Sequence, residues 1–143
     1  MKINQYFDIR EFIPPEIWGR YGEKSIWFVD PKVFAIATAY REAFGCPVIV
    51  NTWHNGGQLT YRGYRPPDTK IGATFSQHRF GRAFDCHFVG LTVQEAFKRI
   101  CDNFAPFAAV GLTTLEDVAH TPTWLHSDCR AVADNSKPLI VRP

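Results

Sequence analysis

Two short stretches carry the side chains that could do chemistry. Residues 76 to 88 read SQHRFGRAFDCHF and residues 123 to 130 read TWLHSDCR. Side chains two positions apart on an extended strand share a face. Asp85 and His87 therefore point one way while Phe84, Cys86 and Phe88 point the other. In the second stretch Trp124, His126 and Asp128 share a face opposite Leu125, Ser127 and Cys129. If the two strands are neighbours, their histidines and carboxylates converge. Catalytic zinc takes about three protein ligands from histidine, carboxylate and thiolate groups and keeps one position open for water. His78 belongs to the same cluster, because Gly81 is a turn residue that would fold it back beside Asp85. His78, Asp85 and His126 are thus a candidate triad for one Zn2+ ion. The spacing of His78 and Asp85 also suits one face of a helix, and a histidine and aspartate on a solvated strand can be a plain surface ion pair. His54, His87 and His120 read as partners or surface residues. Alternation turns Cys86 and Cys129 towards the core, which makes them poor ligands.

The elements that must position these groups can be read on either side. Asp30 is an acidic N-cap before Pro31 at the first helical position, and Val33, Phe34, Ala37, Tyr40 and Phe44 form one apolar face until Gly45 ends the run. PVIVNTW, residues 47 to 53, reads as a buried strand. Residues 54 to 74 are rich in glycine, proline, arginine and tyrosine and read as a long loop of the kind that carries function. Thr92 and Glu95 make a capping box for a helix running to about Asn103, with Val93, Ala96, Phe97 and Ile100 as its buried stripe. Residues 1 to 30 read as an irregular lead-in with a short helix. The mixture points to an α+β fold: a small antiparallel sheet, helices packed on one side, and the metal site at the sheet face.

Composition bounds the partners. The chain has 143 residues, 45% of them hydrophobic and 15% aromatic, enough for one core, so residues 1 to 143 are expected to form a single domain. The net charge is only +2, and the basic residues are scattered, which argues against nucleic acid. No stretch approaches the roughly 20 apolar residues of a membrane span. Charges interrupt the amino terminus, where a signal peptide would be apolar. The expectation is a monomer made in the cytoplasm without a signal peptide or membrane insertion. Four cysteines without a CxxC pair read as reduced thiols.

Ser76-Gln77-His78-Arg79-Phe80-Gly81-Arg82-Ala83-Phe84-Asp85 resembles the SxHxxGxAxD pattern of the M15 family of zinc peptidases, the D-alanyl-D-alanine carboxypeptidases and related phage endolysins. Trp124-Leu125-His126 is similar to the segment that supplies that family's third ligand. The order of helix, strand, arginine-bearing loop and metal motif extends the resemblance over roughly residues 30 to 130. It implies an α+β domain holding one zinc on His78, Asp85 and His126 and cutting peptidoglycan stem peptides, in the manner of an enzyme released to the cell wall on lysis. Two departures bear on activity. The family usually places an acidic general base three positions before the third ligand, where this chain has Thr123. A threonine hydroxyl cannot take up a proton at neutral pH as a carboxylate does. Asp128 is the first substitute, with Glu116 and Asp117 as others, although Asp128 could equally orient a ligand. The family's substrate arginine, typically within SGYR, is here matched by Arg65 in RGYRPP, with Arg62 second; Arg62 could instead pack on Tyr61 or Tyr64. Arginine suits the role because its planar fork pairs with carboxylates at two points. Ser76 could hydrogen-bond substrate or cap the turn, and Trp53, Tyr64 and Trp124 could wall a cleft. A zinc-binding but non-catalytic wall-binding or phage structural module is the other expectation that these departures leave open.

Overall fold

The computed structural model describes residues 1 to 142. Helix α1 spans Pro15–Tyr21 and is flanked by 3-10 turns at Ile9–Glu11 and Gly22–Phe28. Phe7, Ile9, Phe12, Ile13 and Val29 are buried in the main core. The first 30 residues are therefore ordered structure, not an irregular lead-in. Pro14, Pro15 and Gly22 chop them into pieces too short to show a period.

Helix α2, Pro31–Phe44, begins and ends as its sequence dictates: the Asp30 carboxylate accepts the Lys32 amide hydrogen, and Gly45 takes a left-handed φ of 64°. Strand β1 is only Val48–Ile49, shorter than the expected 47 to 53. The cause is Asn51, whose amide binds the Glu11 carbonyl while its side chain accepts from the Arg62 amide and donates to the Ile13 carbonyl. Beyond β1 its place beside the next strand is taken by Arg62, whose carbonyl accepts the Asp85 amide at 2.7 Å.

Strand β2 is Ala83–Phe88 and helix α3 is Val93–Asp102, with both halves of the Thr92–Glu95 capping box formed. Helix α4 (Ala105–Ala109), β3 (Thr114–Glu116), β4 (Leu125–Asp128) and β5 (Leu139–Val141) complete the fold. The strand order is β1-β2-β4-β3-β5, antiparallel throughout except that β5 runs parallel to β3. The fold is α+β as expected, with that one parallel pairing making the sheet mixed.

On one face of β2, Phe84 and Phe88 meet the helices. The Tyr40 ring lies 6.0 Å from Phe84 and 5.4 Å from Phe107 of α4, and Phe44 lies 5.3 Å from Phe88. Such tilted and edge contacts are favourable geometries for aromatic pairs. Within this face the Tyr40 hydroxyl pairs with Ser127 Oγ at 2.8 Å. The other face, carrying Asp85, His126 and Asp128, is also buried, but beneath the chain from Tyr61 to Phe80.

Candidate metal centre

His78 sits on a 3-10 turn, Gln77–Phe80, closed by Gly81 at φ 67°. A side chain at Gly81 would be strained, and its Cβ would lie 1.9 Å from the Phe28 carbonyl oxygen. This close approach fixes the turn against the amino-terminal segment. His78 Nδ1 lies 2.7 Å from the Gly63 carbonyl oxygen. A carbonyl can only accept, so the ring proton is on Nδ1 and the Nε2 lone pair is free. That lone pair points at Asp85 Oδ1, 3.2 Å away, and at His126 Nδ1, also 3.2 Å away.

Asp85 and His126 face each other as register partners across β2 and β4, and His126 Nδ1 lies 2.9 Å from Asp85 Oδ1. The opposite ring atom, His126 Nε2, lies 3.1 Å from Asp128 Oδ2 and donates to it. Three ligand atoms, one from each of His78, Asp85 and His126, lie within 4.8 Å of one another, and all three residues are buried. With each histidine proton held on its outward nitrogen, three lone pairs converge on one point. Such a set is satisfied only by a cation, whether a shared proton or a metal ion. The group could therefore hold a metal ion.

The electrostatics lean the same way. Burial opposes charge on His126, yet its hydrogen bonds to Asp128 and Asp85 outweigh that and carry its pKa up to about 9. Burial pushes His78 down. Asp85 is buried too, but the neighbouring histidines hold its carboxyl well below the usual carboxylate range.

A cleft of about 790 Å³ opens above the triad, lined among others by Arg65, Ser76, Glu116, Trp124 and Arg130. Arg65 divides its fork: Nε donates to the Tyr61 carbonyl at 2.7 Å and one terminal nitrogen to Asp85 Oδ2 at 2.8 Å. It thus steadies the carboxylate whose other oxygen belongs to the triad. The remaining nitrogen, Nη1, lies beneath Gly72, where an added Cβ would come within 2.8 Å.

Asp128 does not face the cleft. It lies behind His126, is fully buried, and accepts from the Arg130 side chain and amide. A carboxylate so placed fixes the imidazole's orientation. Glu116 is better sited for proton transfer. The register pairs Leu115 with Ser127, so one further step sets Glu116 beside His126, and its charge acts on both His126 and Arg65. The Asp117 carboxylate is occupied by the Ala119 amide and does not line the cleft. Thr123 is exposed outside it.

The other expected contacts divide. Ser76 and Trp124 line the cleft. Arg62 does not; its Nη1 pairs with His87 Nδ1 at 2.8 Å, not with Tyr61 or Tyr64. Tyr64 is buried and stacked on Phe28, and the Trp53 indole donates to the Ile13 carbonyl, so both serve packing. Cys86 and Cys129 are buried free thiols, and burial pushes Cys129 up to about 11. Arg130 went unread, although it continues the alternation of His126 and Asp128. Gly63, which acts through its backbone, offered no such signal. Comparison of the chain with family models, curated proteins and solved structures found no match.

Proposed function

We propose that this chain is a zinc peptidase of peptidoglycan stem peptides. The observation that carries the proposal is the convergence of three inward-facing lone pairs, from His78, Asp85 and His126, on the floor of an open cleft. The donor set of two imidazoles and one carboxylate suits zinc and leaves a position for water. What zinc supplies when bound is an acidified water and polarisation of a carbonyl. The motif SxHxxGxAxD supports the choice of substrate class.

The chain's own residues would divide the remaining work. Glu116, as a carboxylate at the cleft wall, takes up the proton lost from the attacking water. The free nitrogen of Arg65 donates to a substrate oxygen, while the rest of its fork steadies Asp85. Asp128, held by Arg130, keeps Nε2 of His126 protonated so that Nδ1 faces inward. The general base moves from Asp128, the first choice on sequence, to Glu116.

Elemental analysis for zinc, followed by digestion of purified peptidoglycan, tests the reading. The wild type should carry one zinc and release free amino groups. His126→Ala should lose both properties, whereas Glu116→Gln should keep zinc and lose activity. Zinc without any released amino groups, on walls of several chemotypes, would favour the non-catalytic module. That second reading draws on Thr123, exposed and outside the cleft where the family places its carboxylate.

A further inference from the structure

The cleft wall from Gly72 to Gln77 belongs to a segment with little regular structure of its own. Between residues 66 and 76 the backbone closes two short turns, Thr69 amide to Pro66 carbonyl and Ser76 amide to Ala73 carbonyl. One side chain supplies most of the remaining hold. The Arg79 guanidinium donates to the carbonyl oxygens of Pro67, Thr69 and Ala73, the last two at 2.8 and 3.2 Å. Charge-assisted bonds of this kind are stronger than neutral ones, and a planar fork fixes the direction of each acceptor.

What the pinned segment presents is apolar and exposed. Phe75 is 81% exposed and Ile71 is 45% exposed, although Phe75 lines the cleft that contains the triad. The same segment passes over Arg65, with Gly72 leaving room for its free nitrogen. Exposing a phenylalanine at the mouth of the cleft is unfavourable for the free protein and becomes favourable when an apolar group covers it.

We infer that residues 67–76 form a substrate-reading flap, in which Phe75 packs on an aliphatic side chain of the bound peptide and Arg79 is the positioning residue that sets the flap over Arg65. The inference rests on the peptidase reading and adds a specificity contact to it. Arg79 makes no side-chain hydrogen bond to the triad or to Arg65; its guanidinium bonds all go to the flap, while its charge also acts on Arg65, which the hydrogen-exchange readout separates from positioning.

Kinetics on a synthetic stem pentapeptide, and on analogues in which each alanyl methyl in turn is replaced by hydrogen, test the contact as a double-mutant cycle. Phe75→Ala should raise KM about tenfold with kcat little changed, and one methyl deletion that penalises the wild type should cost the variant nothing. Arg79→Ala should raise KM similarly and speed amide hydrogen exchange across residues 67–76, with zinc content unchanged. If Phe75→Ala keeps both the wild-type KM and the full methyl penalty, or Arg79→Ala leaves exchange unaltered, the flap inference is overturned while the peptidase reading stands. If the wild type hydrolyses no stem peptide at all, the peptidase reading fails and the flap's substrate contact falls with it.

Discussion

Strands β2 and β4 are buried on both faces, and the two faces are buried by opposite means. Towards the helices, Phe84, Cys86 and Leu125 are sealed by Tyr40, Phe44 and Phe107, with one hydroxyl pair, Tyr40 to Ser127, among them. Towards the loop, Asp85, His126 and Asp128 are sealed by His78, Arg65 and Arg130, through directed polar contacts. The apolar face draws its stability from area removed from water, which is indifferent to pH and ions. The polar face must satisfy each buried group individually, and its centre is satisfied only by a cation. One face of the sheet holds the fold, and the other gathers the groups that could hold a metal ion.

The sharpest break in this comparison is on the apolar side. Phe84→Ala should destabilise the protein by about 3–5 kcal/mol in urea unfolding, equally with and without metal, since the cavity it leaves opens on the face of the sheet opposite the charges. A metal-dependent loss there would dissolve the distinction. Next comes the ion itself. With free zinc about a hundredfold above its dissociation constant, stability should rise by about 2.7 kcal/mol and fall back on adding chelator, in the wild type and Phe84→Ala but not in His126→Ala. The same binding should weaken in acid. Below about pH 9 the metal-free protein holds a proton on His126 that the metal must displace, so apparent zinc affinity should drop as pH is lowered from about 8 to about 6, in competition titrations.

A smaller effect separates a ligand from its orienter. Asp128→Asn should weaken zinc about 10- to 100-fold without abolishing binding, because His126 keeps its nitrogen but loses the charge behind it. Total loss would mean that Asp128 belongs to the triad. The smallest change is on the helix side: Tyr40→Phe removes one buried hydrogen bond and should cost about 1 kcal/mol, with zinc affinity intact.

The same contrast governs how much could be read in advance. Alternation in AFDCHF and LHSD told core from site, because period-two patterning is a property of neighbouring residues. The capped helices α2 and α3 were legible for the same reason: Asp30, Thr92, Glu95 and Gly45 act within a turn of themselves. What escaped acts at long range or through the backbone. Gly63 matters for its carbonyl, and β1 stops early because Asn51 finds partners at Glu11, Ile13 and Arg62. Glu116 lies ten positions before His126 in sequence, and only the pairing of β3 with β4 sets it beside that histidine. The three-residue strands β3 and β5 are too short to show any period.

The contact of Gly63 and Tyr64 with Phe12 reaches further than packing. The Tyr64 amide binds the Phe12 carbonyl at 2.7 Å, and Gly63, whose own carbonyl orients His78, lies so close that a Cβ would come within 2.1 Å of the same oxygen. The floor under His78 thus depends on Phe12, whereas His126 and its orienting carboxylate follow much later in the sequence. During synthesis, then, a nascent chain that has not yet passed Asp128 lacks either the third candidate ligand or the carboxylate that aims it. An ion that needs all three groups would therefore be captured only after His126 has been made, because binding is coupled to the folding that assembles the site.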